Sequence, residues 1–293
     1  MNKDTTTLTI QAPAKINLTL DVLGRRPNGY HDLQMIMQTI DLCDEISITK
    51  KDTDKIITFS MNKELPDGCP VEKNLVYRAA ALLKEKFDLP GGMDIYLDKQ
   101  IPAAAGLAGG SSDCAATLIG INELYELGLS QDELCEIGVT LGADVPFCIK
   151  KGTMLSEGIG EILTPLPPLP TLYTLLIKPD ISVSTAWVYQ SLDLEHLTSH
   201  PDTQKVIQAL QHHDAASVAH NLSNVLESVT IPAYPVLQEI KDHLTEWQAV
   251  GVLMSGSGPT TYGLYQDPIQ AEMAYRKAKA QYPNYEVILC KTR

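Results

Sequence analysis

The sequence predicts an α+β protein built from two domains. Its 293 residues suit one large domain or two of ordinary size. Segments with the two-residue period of a strand alternate along the chain with segments that have the 3.6-residue period of a helix. Four prolines fall within Pro165–Pro170, a composition typical of a connection between domains. We therefore predict a first domain over residues 1–164 and a second over residues 165–293.

Composition and charge argue against several classes of protein. The chain is 44% hydrophobic and 20% charged, the ordinary balance of a globular protein. A formal net charge of −13 argues against nucleic acid or an anionic membrane as a partner. No apolar run approaches about 18 residues and the N-terminus is polar, so we expect neither a membrane span nor a signal peptide. The six cysteines form no C-x-x-C pair, which favours buried thiols and a cytoplasmic location.

The first predicted element is a strand over residues 7–23. Apolar residues at positions 16, 18, 20 and 22 alternate with polar ones, so Lys15 and Asn17 share the opposite face. The segment 25–31 contains consecutive turn formers and places Tyr30 and His31 directly after the turn. The next predicted elements are strands over 33–40 and 45–49, a hairpin or surface loop over 50–72, a helix over 74–86 and a strand over 93–97.

A loop of small residues, Pro102–Asp113, precedes an apolar segment over 114–127 that is predicted to be a helix. Ser111, Ser112 and Asp113 are residue types that cap the N-terminus of a helix. The free amides and the dipole at such a helix start favour an anion, and phosphate is the expected ligand. Two structural alternatives stay open at this point: a tight turn, or a glycine-rich segment that lets a helix pack closely on a sheet.

The loop helix is followed by a second predicted helix, which starts with the capping box Ser130–Glu133 and ends at Gly142. Asp144 then lies just past a helix end, where a carboxylate opposes the helix dipole. It either caps a turn, pairs with the nearby Lys150, or has a chemical role.

The second predicted domain is also α+β. Its predicted elements are a strand over 171–177, a helix over 185–192, a polar histidine-bearing segment over 193–213, helices over 214–227 and 234–247, strands over 250–254 and up to Tyr265 around the loop Ser255–Pro259, a helix over 268–281 and a strand over 285–291. The histidines carry no metal-site pattern and read as exposed residues.

Three stretches, Ala12–Asn17, Pro102–Ser112 and Ser255–Pro259, resemble the three motifs of the GHMP kinases, in order and at similar spacing. Two further stretches, Arg26–Leu33 and Gly142–Phe147, are similar to the members that phosphorylate a hydroxyl of a cytidine diphosphate-linked methylerythritol in the non-mevalonate route to isoprenoids. Each motif is weak or moderate by itself, and the five in order are a specific signal.

The resemblance implies a fold with an N-terminal domain like domain 2 of ribosomal protein S5 and a C-terminal ferredoxin-like domain. It implies ATP and Mg²⁺ as cofactors, with Asp144 as general base and Lys15 as its catalytic partner. The ATP phosphates would lie along Pro102, Ala103, Ala104, Ala105, Gly106, Leu107, Ala108, Gly109, Gly110, Ser111 and Ser112. Substrate contacts would come from Asn17, Tyr30, His31, Lys150, Thr185 and Tyr189. The chain would act as a monomer or homodimer, with a small molecule as its partner.

Two other functions remain open at the level of sequence. One is a different GHMP kinase that acts on a small alcohol such as homoserine or a mevalonate phosphate. The other is a catalytically weak homologue with a binding or regulatory role, because fold does not fix function. The alanines at positions 103, 104, 105 and 108 keep the second alternative open, since a methyl group at each narrows the room for phosphate.

Overall fold

The structure is a computed structural model that describes residues 6–52, 55–63, 70–197 and 199–293. It consists of two compact units. Unit 1 comprises Met1–Ala14, Leu42–Ile101 and Ala108–Lys150, and unit 2 comprises Lys15–Asp41, Pro102–Leu107 and Lys151–Arg293. The two longest strands pass through both units, so neither unit is one continuous segment. The domain boundary predicted between residues 164 and 165 stays a prediction.

Unit 1 is a sheet with helices packed on it. The strands are β1 (Thr7–Arg25), β2 (His31–Lys51), β3 (Ile57–Met61) and β4 (Gly92–Asp98), and the helices are α1 (Leu75–Lys86), α2 (Gly109–Leu124), α3 (Gln131–Val139) and α4 (Val145–Lys150). The strand order is β3-β4-β2-β1, with β4 antiparallel to β2 and parallel to β3. Gly120 of α2 lies so close to Ile10 and Ile48 that a Cβ atom there would fall 2.8 Å from each. The helix therefore packs directly on the sheet.

Unit 2 holds the rest of β1 and β2 together with a second sheet. Its other strands are β5 (Thr153–Gly158), β6 (Ile162–Pro165), β7 (Tyr173–Lys178), β8 (Ser223–Asn224), β9 (Gly251–Met254), β10 (Thr261–Tyr265) and β11 (Glu286–Lys291). Strand β5 pairs with β2 and β6, and β8 pairs with β1. The second sheet has the order β11-β7-β10-β9 and is antiparallel throughout. The amide of Lys291, the last residue of β11, donates to the Asp41 carboxylate, and the Arg293 amide beyond β11 donates to the Thr39 carbonyl.

The described part of unit 2 also holds six helices: α5 (Thr185–Ser191), α6 (Thr203–Gln211), α7 (Ala215–His220), α8 (Glu227–Ala233), α9 (Val236–Glu246) and α10 (Pro268–Gln281). Helices α9 and α10 pack on the second sheet. Leu237, Ile240 and Leu244 lie on one face of α9 at helical spacing, and all three are fully buried. The helix predicted over residues 234–247 is present as α9.

The α+β class is confirmed, and most predicted elements are present. Helices α1, α5 and α10 agree with the predicted ranges to within one residue, and both strands that flank residues 255–259 are found. The predicted helix over 214–227 is found only in part, because α7 ends at His220 and the next helix begins at Glu227. The chain breaks there because the Asn224 side chain donates to the Met254 and Gly256 carbonyls, and β8 pairs with β1. Helix α6 was missed inside the polar segment 193–213, and β3 was missed inside 50–72, of which 53–54 and 64–69 lie outside the described residues.

Across the described ranges, every helix is too short or too polar to cross a bilayer.

Candidate active site

Lys15 and Asn17 of β1 form a buried polar pair in unit 2. The Lys15 ammonium donates to the side-chain oxygen of Asn17 at 2.7 Å, and the same oxygen accepts from the Gly256 amide at 3.0 Å. The Asn17 amide group donates to the Met35 sulfur at 3.3 Å, and the Tyr262 hydroxyl donates to the Asn17 carbonyl at 2.7 Å. Lys15 is 5% exposed and Asn17 is fully buried. The strand pattern placed both residues on one face, and the structure joins them.

The loop after β9 packs against Gly106 in the same unit. The Ser255 hydroxyl donates to the Gly106 carbonyl at 2.9 Å. Gly106 has φ +74°, and a Cβ atom there would lie 2.1 Å from the Ser255 carbonyl oxygen. Glycine is required at this position by both the backbone conformation and the contact. The second and third sequence motifs therefore meet at one point.

The start of α2 lies in unit 1 and differs from the prediction. The helix begins at Gly109, five residues before the predicted start at Cys114, and its N-cap is Ala108 in the left-handed conformation at φ 55°. A methyl group accepts no hydrogen bond, so the N-cap side chain does not cap the first turn. Helix geometry leaves the amides of Gly109, Gly110 and Ser111 without intrahelical partners. Ser112 is not an N-cap, because it lies inside the helix and donates to the Pro13 carbonyl at 2.7 Å. This start provides donors for an anion.

Side chains along the predicted phosphate loop differ in exposure. Ala103, Ala104 and Gly110 are exposed, whereas Pro102, Ala105, Leu107 and Ser112 are buried. A ligand can therefore approach this path most readily at its exposed residues.

Asp144 precedes the first residue of α4, and its carbonyl oxygen accepts from the Cys148 amide at 3.1 Å. The sequence placed Asp144 past the end of a helix that stops at Gly142, but α3 ends earlier, at Val139. The expectation of an unfavourable dipole is therefore wrong, since a helix start favours a carboxylate.

Lys150 is the last residue of α4. Its ammonium donates to the Asp132 carboxylate at 2.8 Å, and this hydrogen bond raises the pKa of Lys150 above its usual value. The Asp132 side chain is 82% exposed, so the pair contributes little stability. Lys150 can exchange this partner for a ligand at small cost.

His31 and Tyr189 form a ring pair in unit 2, with centroids 5.3 Å apart and planes inclined by 30°. Burial, followed by the positive charge of Arg25, lowers the pKa of His31 below its usual value of 6.5. The imidazole is therefore neutral near pH 7. Tyr30 is 57% exposed, and the Asn28 side chain accepts from its amide at 3.1 Å. The turn thus directs His31 toward the tyrosine of α5 and leaves Tyr30 in solvent.

Thr185 begins α5, and its hydroxyl oxygen lies 2.8 Å from that of Ser257. Ser255, Gly256 and Ser257 consequently contact three predicted site residues or their loop: Gly106, Asn17 and Thr185. The residues of this loop were not among the site residues predicted from the sequence. The signal was available in the motif itself, in which small residues alternate with hydroxyls.

Comparisons with known proteins show the family to which this chain belongs. The family model described as GHMP kinases N terminal domain matches residues 74–152, and that described as GHMP kinases C terminal matches residues 206–284. The protein is therefore a GHMP kinase. A relative in Lachnoclostridium phytofermentans named 4-diphosphocytidyl-2-C-methyl-D-erythritol kinase is 50% identical over 273 residues, which is 93% of this chain and 92% of the relative. One of the same name in Geobacillus kaustophilus is 49% identical and covers 92% and 91%. The chain belongs to the 4-diphosphocytidyl-2-C-methyl-D-erythritol kinase family.

Solved structures agree with this placement. A crystal structure of a 4-(cytidine 5'-diphospho)-2C-methyl-D-erythritol kinase has a TM-score of 0.82 and 32% identity, covering 97% of this chain and 99% of that one. Homoserine kinase from Cytophaga hutchinsonii has a TM-score of 0.78 at 19% identity, covering 100% and 96%, and shares the fold alone. The predicted family, the GHMP kinase fold and the class of ATP-dependent small-molecule kinase are confirmed. The individual site residues stay predictions.

Proposed function

We propose that this protein transfers the γ-phosphoryl group of ATP to a hydroxyl of 4-diphosphocytidyl-2-C-methyl-D-erythritol. The observation that carries the proposal is the 50% identity, over 93% of the chain, to a relative that bears the name of this kinase. The product would serve the non-mevalonate route to isoprenoids. A cytoplasmic location and a monomeric or homodimeric state are part of the proposal.

The ATP phosphates are assigned to residues 102–112. The uncapped first turn of α2 supports this assignment, because its free amides and the helix dipole attract an anion. Exposed residues on this path, such as Ala103 and Gly110, are small, so a phosphate can approach the backbone. The same donor set fits ATP better than a neutral ligand.

Mg²⁺ supplies charge neutralisation on the phosphates when it is bound with ATP. Among the residues described, no group of three or more His, Cys, Asp or Glu side chains is suited to hold a metal ion. Mg²⁺ is usually held by one or two carboxylates together with substrate phosphates and water, so a nucleotide-borne ion needs no such group. The protein residues that contact the ion are left unassigned.

Asp144 is the proposed general base. Its carboxylate takes the proton of the attacking hydroxyl as the oxygen–phosphorus bond forms, and ADP leaves with the electrons of the broken bond. Lys15 is proposed to stabilise the negative charge that develops on the attacking oxygen. A lysine is flexible in solution, and the hydrogen bond to Asn17 restricts it before substrate arrives. Catalysis of phosphoryl transfer by a protein depends mainly on the positioning of the reacting groups.

The cytidine head is assigned to His31 and Tyr189, with Tyr30 and Thr185 as neighbouring contacts. Stacking of a base on an aromatic ring is worth about 1–3 kcal/mol and tolerates any base. Discrimination must then come from polar groups, and a neutral imidazole both donates and accepts at a base edge. Asn17 and Lys150 complete the proposed substrate contacts, with Lys150 suited to the diphosphate.

Turnover with three acceptors tests the proposal. ADP release is measured with 4-diphosphocytidyl-2-C-methyl-D-erythritol, homoserine and mevalonate at matched concentrations, and the product is identified by mass. We expect kcat/KM to be at least about a hundredfold higher for the cytidine compound, since a site built for polar groups rejects molecules that lack them. Equal or greater turnover with homoserine or mevalonate would contradict the proposal. No turnover with any acceptor would favour the binding role.

A further inference from the structure

A buried group of three charged side chains lies in unit 1, outside the residues assigned to chemistry above. The Lys99 ammonium donates to the Asp44 carboxylate and, at 2.9 Å, to that of Asp113. Lys99 is 8% exposed, Asp113 3% and Asp44 fully buried. We call these three residues the Lys99 cluster. Such burial makes charge costly and its effects strong, because the surroundings screen little.

The Lys99 cluster lies against the first residue of α2. A Cβ atom built on Gly109 would fall 2.8 Å from the Lys99 nitrogen and 3.0 Å from a methyl group of Ile101. Asp113 belongs to the second turn of the same helix. The positive charge of Lys99 therefore lies next to the first residue of the helix whose amides are proposed to hold the ATP phosphates.

Asp44 fixes the chain on the other side of the lysine. One of its oxygens accepts from the amides of Gln100 and Ile101, at 2.5 and 2.7 Å. Asp44 thus has three donors, while Asp113 has one. Within the described structure, the second oxygen of Asp113 is buried without a hydrogen-bond partner. Asp113 is consequently the member of the cluster that ionises at the greatest cost.

The charges around Asp113 also indicate that its carboxyl group is difficult to ionise. Burial and the like charge of Asp44 raise the pKa of Asp113 to about 7, although the positive charge of Lys99 opposes them. Burial raises the pKa of the adjacent Cys114 thiol to about 12, and the positive charge of Arg78, on helix α1 packed against α2, opposes this effect. The protonation of Asp113 therefore changes near neutral pH, where the enzyme would work.

We propose that Lys99 is a positioning residue of the ATP-phosphate loop, and that ATP binding is linked to uptake of a proton by Asp113. With both carboxylates ionised, the cluster carries a net charge of −1 and repels phosphate. Once Asp113 is protonated, the charge of Lys99 balances that of Asp44 alone and the repulsion is removed. The inference deepens the proposed function and rests on it, because it takes the phosphates to lie at the start of α2.

The linkage has a definite sign. A phosphate near α2 raises the pKa of Asp113 further, because like charges disfavour each other. Well below pH 7 the residue is already protonated and affinity is independent of this group. As pH rises through 7, ATP binding must bring in a proton, and affinity falls by up to about tenfold per pH unit until the pKa of the complex is reached.

Calorimetry with a non-hydrolysable ATP analogue, AMP-PNP with Mg²⁺, tests the proposal on the full chain. Titrations at pH 7.5 in HEPES and in Tris, which differ in ionisation enthalpy, give the number of protons taken up. Wild type is compared with Asp113→Asn, whose side chain matches the neutral acid in shape. Asp94→Asn is the control, since Asp94 is a partly exposed carboxylate of the same unit that pairs with Lys51. Differences between variants cancel the ionisation of the nucleotide itself.

We expect wild type and Asp94→Asn to take up about half a proton more than Asp113→Asn. Their Kd for AMP-PNP should rise between pH 6.5 and 8.5 by about tenfold more than that of Asp113→Asn. Equal proton uptake and parallel Kd profiles would overturn the inference while leaving ATP binding intact. A wild-type protein that does not bind AMP-PNP would overturn both this inference and the proposed ATP site.

Lys99 is tested in the Asp113→Asn background, where Lys99→Met removes a cation without leaving two unpaired acids. Relative to Asp113→Asn, the double variant should bind AMP-PNP about tenfold more weakly at every pH, because a nearby charge has been lost. Its KM for the cytidine substrate should not change. If the double variant melts far below the single one, the comparison of Asp113→Asn with wild type decides the proposal alone. An unchanged Kd in a folded double variant would show that Lys99 only supports the fold.

Discussion

The Lys15 ammonium lies 2.7 Å from the side-chain oxygen of Asn17, two residues further along β1. That oxygen also accepts from the Gly256 amide at 3.0 Å, so both of its lone pairs are used. The position of the lysine is therefore set by a strand and by the loop after β9 together. A buried lysine held in this way loses little further rotamer freedom when substrate binds.

Lys15→Met should abolish most turnover and leave the fold intact, because methionine keeps much of the length and apolar surface of the side chain. We expect kcat to fall about 10²- to 10⁴-fold, with KM for ATP nearly unchanged. Asp144→Asn should have an effect of similar size, and the double variant should be little worse than either, since residues that act together are not additive. Steady-state kinetics of the three variants measure this. Lys178→Met, which removes another largely buried lysine of unit 2 from its partner Glu286, is the control.

Near-normal turnover in both single variants of this set would mean that Lys15 and Asp144 have structural roles, and the proposed mechanism would be wrong.

Tyr189→Leu should weaken binding of the cytidine substrate without affecting ATP. It removes the ring that lies 5.3 Å from His31 and keeps an apolar residue on α5. We expect KM for the cytidine substrate to rise about tenfold, in line with the loss of roughly 1–3 kcal/mol of stacking. Trp187→Leu is the matched control, because Trp187 lies on the same helix and its ring contacts Tyr234 instead. Similar KM values in the two variants would show that the cytidine site has been assigned to the wrong residues.

Substrate affinity should depend on pH through His31. Its pKa lies below 6.5, so the imidazole is neutral at pH 7 and gains its charge only in more acidic solution. A protonated imidazole loses its acceptor, and we expect KM for the cytidine substrate to stay flat from pH 8 to 7 and to rise on acidification below pH 6.5. The measurement is KM across pH 5.5–8 for wild type and His31→Gln. The same acidic rise in His31→Gln would assign it to another group.

Two neighbouring glycines should respond differently to substitution. A side chain at Gly109 would meet Lys99 and Ile101, so Gly109→Ala should lower the melting temperature. Gly110 is exposed, and among the described residues a Cβ atom there would meet Leu75 alone, at 3.7 Å. Gly110→Val should therefore keep the melting temperature and raise the Kd for ATP, because a branched side chain covers the first-turn amides. Unchanged ATP affinity in Gly110→Val would contradict the assignment of the ATP phosphates to this helix start.

Gly106→Ala should destabilise the protein regardless of ligand. Its Cβ would lie 2.1 Å from the Ser255 carbonyl oxygen, and the residue would be held at φ +74°. We expect a loss of roughly 2 kcal/mol or more in the free energy of unfolding, measured in urea. Gly128→Ala is the control, since Gly128 also has positive φ but a Cβ there meets nothing within 4 Å. Equal losses in the two variants would mean that only backbone conformation matters at Gly106.

Elements with a local signature were predictable from the sequence. The capping box of α3 is formed as expected, and the Asn74 side chain caps α1. The start of α2 was not predictable, because its N-cap is an alanine in a conformation that alanine rarely adopts. Serines that follow looked like better caps, yet the helix already includes them.

Contacts between residues that are far apart in the sequence could not be predicted either. The family resemblance linked Lys15 with the loop at 255–259, but only the structure shows that the Gly256 amide donates to the Asn17 side chain, 239 positions away. The Lys99 cluster had no signature, since Asp44 and Lys99 are 55 positions apart and a lone aspartate in a helix start reads as a cap. Residue types and local periods do not report which buried charges meet.

The hydrogen bond from the Lys291 amide to Asp41 joins residues 250 positions apart. At about 5–20 residues per second, a ribosome adds Lys291 on the order of ten to fifty seconds after it has added Asp41. Every segment of unit 1 has been made once Lys150 is added, so its folding can begin during translation. Unit 2 must wait for β11, and this part of the protein reaches its native state only after nearly all of the described chain has been synthesised.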